Sequence, residues 1–300
     1  MGFDKTGFLK ELQKRKEEID RHLLGSLSVD SDSPLIHQAM HYAVSNGGKR
    51  LRPILVVEGA HLAGRPAEAV MLTACAIEMI HCYSLVHDDL PSMDNDDLRR
   101  GKPTCHIVYG EANAILTGDA LLSRAFELIA ANAGVSGVTP DAVVAVIEEV
   151  AAAIGSTGMV GGQVLDLQWQ GQQIGPAELE HLHLLKTGAL FRAALRSGAI
   201  LAGMKAQALE DLTDYARHFG LAFQITDDIL DVCGDEGVVG KPIGSDERNQ
   251  KITYVSLFGL EGAVELARQS VDKCIASLRS FGEEADFLRD LARFTLFRQS

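Results

Sequence analysis

The 300-residue chain has few cysteines, and they do not form the pattern of a structural metal site or a disulfide framework. The five cysteines are scattered, and no two of them make a C-x-x-C pair. An odd number in apolar or loop-like surroundings indicates reduced thiols in a cytoplasmic protein. The amino-terminal segment is charged and has no apolar core, so no secretory signal is predicted.

Positive charge and long apolar runs are also scarce. Lys and Arg number 28 against 41 Asp and Glu, which gives a formal net charge of −13. This excess argues against nucleic-acid binding and against simple attraction to an anionic membrane surface. No stretch reaches 18 uninterrupted apolar residues, so neither a membrane-spanning helix nor a stable membrane anchor is expected.

Strand patterns are missing as well. The sequence shows no convincing two-residue alternation and no regular exchange of strand-like and helix-like segments, whereas residues such as Leu12, Ile19 and Leu23 roughly follow a helical stripe. The eight prolines fall mostly at breaks and separate about ten helices. No linker or shift in composition interrupts the chain. We therefore predict an all-α fold with a single domain over residues 1–300.

Negative charge is concentrated in two short motifs, "HDDLPSMD" at residues 87–94 and "TDDILD" at residues 226–231. Each motif closes a long apolar helical stretch with paired aspartates, and each is followed by a loop with glycine and basic residues. Asp227 and Asp231 share one face of a helix because they are four residues apart. We expect the two motifs to face each other across one cavity.

The first motif fits a regular helix less well. Asp88 and Asp94 are six residues apart, so their side chains align only if the helix is loosened near Pro91. Crowded carboxylates repel each other and need a cation. Hard oxygen ligands select Mg²⁺ or Ca²⁺, and neither motif has the EF-hand pattern. One such motif alone is as well explained by a solvated helix end, but a matched pair favours a metal site.

Basic residues lie close to these motifs. Arg99 and Arg100 follow the first motif at once, and "NGGKRLRP" at residues 46–53 places two glycines before Lys49 and Arg52. Arginine suits bidentate phosphate contacts, and glycine lets backbone N–H groups approach a phosphate. The acidic residues would therefore bind an anionic substrate indirectly, through cations that bridge the carboxylates and the phosphates. The pattern indicates ionisation of a carbon–oxygen bond to diphosphate at the mouth of an apolar cavity.

Taken together and in order, several segments resemble the bacterial trans-isoprenyl diphosphate synthases, and the farnesyl-forming members are the most similar. The resemblance runs from about residue 34 to residue 254 and is carried by "GGKRLRP", "IHCYSLVHDDLPSMDNDDLRRGKPTCH", "GEANAILTGDALL", "GGQVLDL", "KTGAL" and "LAFQITDDILD". It implies an all-α fold around a deep central cavity, usually in a homodimer. It also implies condensation of isopentenyl diphosphate with an allylic diphosphate, dimethylallyl or geranyl.

The resemblance further implies two or three Mg²⁺ ions per site. Asp88 and Asp94 match the direct ligands of the first motif, and Asp89 belongs to the same motif. Asp227 matches the ligand of the remaining ion. Asp228 and Asp231 complete the second motif and act mainly through water.

The implied substrate contacts fall into groups. The isopentenyl diphosphate site is matched by Lys49, Arg52, His81 and Arg100. The allylic diphosphate site is matched by Arg99, Lys186 and Lys241, and Lys251 joins the substrate-binding set. Thr187 and Gln224 match groups that face the developing carbocation. The released diphosphate takes the final proton, so no side chain is assigned as general base.

Product length depends on what closes the floor of the cavity. Tyr83 and Ser84 lie about one helical turn before Asp88. A tyrosine there predicts that elongation stops at the C15 farnesyl chain, with a C20 geranylgeranyl product as the alternative. The chain departs from the family at Val255, where proline is usual, and at its tail "FTLFRQS", which lacks the usual basic ending.

The sequence argues against three other classes of function. A cyclising terpene synthase needs a different second metal motif and has no use for "GGKRLRP". A non-catalytic regulatory subunit on the same fold is expected to have eroded aspartates, and these are intact. A helical di-iron protein needs paired Glu-x-x-His motifs, which are not convincingly present.

Overall fold

The computed structural model describes residues 3–27, 32–233 and 251–298. Within these ranges the chain is a bundle of α-helices, which confirms the predicted all-α class. We number them α1 (Lys5–Ser26), α2 (Pro34–Ser45), α3 (Leu51–Leu62), α4 (Met71–Asp88), α5 (Cys105–Tyr109), α6 (Glu111–Ala131), α7 (Pro140–Ile154), α8 (Met159–Trp169), α9 (Pro176–His183), α10 (Ala189–Leu201), α11 (Ala206–Cys233), α12 (Tyr254–Ser277) and α13 (Asp286–Thr295). The β structure of the described residues is one antiparallel pair, Leu98–Arg99 with Lys102–Pro103.

Several prolines begin helices, as expected for residues that separate one helix from the next. Pro34, Pro140 and Pro176 each occupy the first residue of a helix. An N–H group at that position has no intrahelical partner, so proline loses nothing there. Thr139 adds a side-chain cap to α7 by accepting a hydrogen bond from the Ala142 N–H at 3.2 Å.

Helix α4 runs through the core and carries the first aspartate motif at its C-terminal end. It packs antiparallel to α6, and polar contacts fix the register at both ends. Asn132 donates to Thr73 Oγ1 at 2.7 Å near the start of α4. Near its end, His87 Nε2 lies 3.0 Å from the Ile115 carbonyl oxygen. Asp88, the last residue of α4, is thereby held at one end of the bundle.

Helices α3 and α10 cross at van der Waals contact of their backbones. A Cβ on Gly198 would lie 2.7 Å from the Val56 carbonyl carbon, and one on Gly59 would lie 2.9 Å from the Ala199 nitrogen. Neither backbone can retreat without moving the other, because the surrounding residues are fully buried. The two glycines therefore set the distance between these helices.

The segment Pro140–Trp169, which spans α7 and α8, is long and apolar enough by those two criteria alone to cross a membrane. The helix is interrupted at residues 155–158. Val143, Val146 and Val150 on α7 are buried in the main core. These features are typical of core helices in a globular bundle.

Replacing Gly198 by alanine tests the crossing. Overpacking of a close-packed core lowers the free energy of unfolding by about 1–3 kcal/mol, and here the obstructing atoms are backbone. We expect urea denaturation of Gly198→Ala to show a loss in that range. Gly25→Ala on α1 is the matched control, since its Cβ meets nothing within 4 Å. Equal stability of the two variants would contradict the account.

Candidate active site

A cavity of about 390 Å³ opens beside the end of α4. Both apolar and charged side chains line it. The lining residues are Arg52, His81, Tyr83, Ser84, Leu85, His87, Asp88, Met93, Met159, Val160, Gln163, Val164, Leu167, Lys186 and Thr187. Seven predicted site residues are thus brought to one cavity, although they come from α3, α4 and the 184–188 segment.

The first aspartate motif folds back on itself where α4 ends. The Asp94 N–H donates to the Asp88 carbonyl at 2.9 Å, so the chain turns around Pro91 as the spacing predicted. Burial raises the pKa of Asp88 to about 6, opposed by Lys186 and reinforced by the Asp94 carboxylate. The carboxylates at this turn therefore lie in an environment that favours an added cation.

Asp89 and Arg99 form a close ion pair behind this turn. Arg99 donates to Asp89 Oδ1 from Nε at 2.8 Å and from Nη2 at 2.5 Å. Asp89 is only 3% exposed. Burial raises the pKa of its carboxyl, and Arg99 lowers it. The geometry gives Asp89 the task of fixing the Arg99 guanidinium.

The loop of "NGGKRLRP" is held in place by its first arginine. Arg50 is buried and donates to Glu78 at 2.6 Å, to Asp20 at 2.7 Å and to the Val44 carbonyl at 2.7 Å. Its φ of +53° turns the chain into α3. Arg50 is thus an anchor within the protein, whereas Arg52 lines the cavity with its guanidinium 4.2 Å from the Phe191 ring centroid.

The two predicted basic loops dock on each other through Gly48. This glycine has a φ of +124°, and a Cβ there would lie 2.6 Å from Arg100 Nη1. Arg100 also donates to the Gly47 carbonyl. The lack of a side chain therefore lets Arg100 lie against the loop that carries Lys49.

Lys49 and His81 lie in a strongly basic setting. Burial lowers the pKa of Lys49 to about 8, helped by Arg298 and opposed by Asp227. Burial also lowers the pKa of His81 far below its ordinary value, and Arg52 and Arg100 lower it further. His81 is therefore neutral at physiological pH and can still donate one hydrogen bond.

Lys186 and Thr187 lie in a π-helical turn, Leu184–Gly188, which the sequence did not predict. Such turns occur often at functional sites. Lys186 Nζ lies 2.6 Å from Asp166 Oδ2, and Thr187 donates to Gln224 Oε1 at 3.1 Å. A Cβ on Gly162 would lie 2.7 Å from Lys186 Cα, so Gly162 lets α8 approach this turn.

The aspartates of the second motif contact different parts of the structure. Asp228 is buried and accepts hydrogen bonds from the Tyr254 N–H at 2.8 Å and from Gln224 Nε2 at 3.1 Å. Asp227 is more exposed and pairs with Arg298 Nη2 at 2.7 Å. Asp231, one turn further along α11, is buried. Of the three aspartates of this motif, Asp227 has the most solvent-accessible carboxylate.

Lys251 connects the two sides of the site. Its Nζ lies 3.5 Å from both Asp94 Oδ1 and Asp166 Oδ2. A small polar cavity next to the main one is lined by Asp166, Lys186, Gln224, Asp228 and Lys251, among others. Lys186 lines both cavities. Asp88 of the first motif lines the main cavity and Asp228 of the second motif lines the small one, so the motifs lie at neighbouring cavities where the sequence predicted one. Lys241 lies outside the described residues.

Three features were missed or undervalued at the level of sequence. The sequence does not predict Asp166 as a site residue, but Asp166 holds Lys186 and contacts Lys251. The tail lacks the usual basic ending, yet its Arg298 is 7% exposed and pairs with Asp227. Val255 lies inside α12, whose start keeps a capping box between Thr253 and Ser256. The motif "GGQVLDL" was the available signal for Asp166.

The donors of the predicted metal site suit Mg²⁺. Within the described ranges no group of three or more His, Cys, Asp or Glu side chains is placed to hold a metal ion by itself. The predicted ligands Asp94 and Asp227 instead contact the cationic Lys251 and Arg298. Carboxylate oxygens that attract these cations are also the ligands that Mg²⁺ prefers. Asp88, Asp94 and Asp227 therefore carry the donor type that this ion prefers.

Comparison with known proteins places this geometry in a family. The chain matches the polyprenyl synthetase family over residues 33–290. A farnesyl diphosphate synthase of Escherichia coli (strain K12) is 48% identical over 85% of each chain. A geranylgeranyl diphosphate synthase of Cyanophora paradoxa is 45% identical over 97% of each chain. The structure of an FPP/GFPP synthase from Zymomonas mobilis covers 97% of this chain and 99% of its own, with 40% identity and a TM-score of 0.86.

Fold and similarity together define a prenyltransferase with an all-α fold. The chain belongs to the polyprenyl synthetase family, and its activity is that of a trans-prenyl diphosphate synthase. Members of this family act on isopentenyl and allylic diphosphates and generally depend on Mg²⁺. The resemblance seen in the sequence motifs is confirmed.

The pKa of Lys49 predicts a pH dependence. Burial lowers the pKa of the Lys49 ammonium from 10.5 to about 8, and the sequence predicts that this cation binds isopentenyl diphosphate. We expect kcat/KM for isopentenyl diphosphate to fall by about tenfold per pH unit above that pKa. In Lys49→Arg the cation stays protonated, so the fall should move to higher pH. Identical profiles for the two proteins would contradict the prediction.

Proposed function

We propose that the protein adds isopentenyl diphosphate to dimethylallyl and then geranyl diphosphate and stops at farnesyl diphosphate. The observation that carries this proposal is Tyr83, which lines the cavity and is 7% exposed. It lies five residues before Asp88, which is about 7.5 Å along a helix axis. A growing chain whose diphosphate is held near Asp88 therefore meets an aromatic ring early, and Ser84 leaves some room beside it.

Different charged side chains would bind the metal ions and the two diphosphates. Asp88, Asp94 and Asp227 would hold two or three Mg²⁺ ions, which neutralise a leaving diphosphate when bound. Arg99, aligned by Asp89, and Lys186, aligned by Asp166, stabilise the allylic diphosphate. Lys241 and Lys251 join them. Lys49, Arg52, His81 and Arg100 bind the diphosphate of the other substrate.

The interior of the cavity supports the carbon chemistry. Side-chain oxygens of the Thr187–Gln224 pair would face the positive charge that develops on the allylic carbon, and Asp228 accepts a hydrogen bond from Gln224. Met159, Val160 and Leu167 give the cavity an apolar lining, which suits the hydrocarbon chain of the substrate. The released diphosphate takes the final proton, so no protein base is needed.

A homodimer is part of the proposal, together with one catalytic domain and a cytoplasmic location. Ile107, Val108, Ile115 and Leu116 on α5 and α6 are 45–55% exposed and lie close along the chain. A patch of this kind suits burial against a second copy. In sedimentation velocity we expect a dimer for the natural chain and a shift toward monomer for Leu116→Glu. A natural chain that sediments only as a monomer would contradict the dimer.

A C20 product is the second candidate, because a geranylgeranyl diphosphate synthase is 45% identical to this chain. Incubation with Mg²⁺, labelled isopentenyl diphosphate and each of dimethylallyl, geranyl and farnesyl diphosphate separates the two. We expect products that stop at C15, no extension of the farnesyl primer, and no product in excess chelator. C20 or longer products would refute the Tyr83 floor. No product from any primer would refute catalysis and favour a non-catalytic subunit.

A further inference from the structure

His87 occupies a slot on α6 that exists because residue 118 is glycine. A Cβ on Gly118 would lie 2.5 Å from His87 Cδ2 and 2.6 Å from His87 Cε1, far inside van der Waals contact. The His87 Nε2 atom lies 3.0 Å from the Ile115 carbonyl oxygen. Because a carbonyl only accepts, Nε2 carries the proton in this arrangement. The imidazole is thus held against the backbone of α6 by shape and by one hydrogen bond.

The same imidazole touches the tyrosine of the cavity floor. Tyr83 and His87 are four residues apart on α4 and share a face. Their ring centroids are 5.8 Å apart and the planes meet at 75°, an edge-to-face contact. In the described part of the chain Tyr83 has no other aromatic neighbour. Both rings line the main cavity.

We propose that His87 and Gly118 are positioning residues that set product length by holding the Tyr83 ring across the cavity. This inference rests on the proposed elongation of allylic diphosphates and adds two residues to its chain-length control. Neither residue contacts the reacting atoms. Gly118 determines where the imidazole lies, and the imidazole determines where the phenol ring lies.

The arrangement predicts opposite effects from its two ends. Removing the imidazole opens a space beside Tyr83, so the phenol ring can swing aside and the cavity becomes deeper. Adding a methyl group at Gly118 drives the imidazole off α6. The displaced imidazole then pushes the Tyr83 ring toward the cavity, and the space for a growing chain becomes smaller.

The test compares products of the natural protein with those of His87→Ala, Gly118→Ala, the double variant and Gly25→Ala under one set of conditions. For His87→Ala we expect the C20 to C15 ratio to rise about tenfold, a discrimination that one or two methylene-sized contacts supply. For Gly118→Ala we expect C10 to accumulate. Gly25→Ala, remote from the cavity, should match the natural protein.

The double variant separates a positioning role from general destabilisation. Without an imidazole to displace, the methyl group at Gly118 has nothing to push, so the double variant should behave like His87→Ala. Additive effects would overturn the proposal. If His87→Ala fails to fold, His87→Gln serves instead, because its amide keeps a donor for the Ile115 carbonyl and lacks the ring.

The outcomes distinguish this inference from the function on which it rests. A natural protein that makes C15 while every variant makes the same products overturns the positioning role alone. A natural protein without product under any primer overturns the elongation proposal, and the inference falls with it. A change in rate without a change in product length also overturns the positioning role.

Discussion

Opposite charges are paired near the mouth of an apolar cavity, and the rest of the site depends on that pairing. Asp89 holds Arg99 and Asp166 holds Lys186, at 2.5–2.8 Å and 2.6 Å. A lone buried charge would shift its pKa and neutralise. Pairing orients these side chains before any substrate arrives. A diphosphate and its cations can then enter a site whose charges need little rearrangement.

Close backbone approach provides the second constraint, and glycines provide the approach. Gly48 admits Arg100, Gly162 admits the turn that carries Lys186, and Gly118 admits His87. In each case a residue predicted or proposed to act in the site lies against the backbone of another element. The cavity is consequently built from helix spacings that one methyl group would alter. Glycines without a side chain therefore help to determine the shape of the cavity.

The helices and the turn at the first acidic motif were predictable, because periodicity, prolines and the spacing of the aspartates are local signals. The π turn at Lys186 was not, since nothing in "KTGAL" distinguishes an inserted residue from a regular helix. Arg50 looked like its neighbours in a basic loop, but its partners Glu78 and Asp20 lie 28 and 30 residues away. Arg298 could not be assigned either, because its partner Asp227 belongs to a distant helix. Long-range pairing decides these roles.

We infer that the aspartates bind an anionic substrate only through bridging cations. Isothermal titration with an unreactive allylic thiolodiphosphate tests it directly, with Mg²⁺ present and with Mg²⁺ removed by chelator. The account predicts tight binding with Mg²⁺ and a loss of at least about tenfold in affinity without it, because unscreened carboxylates then face the diphosphate. Equal affinity in the two conditions would show that the basic side chains bind the diphosphate unaided, and would contradict the account.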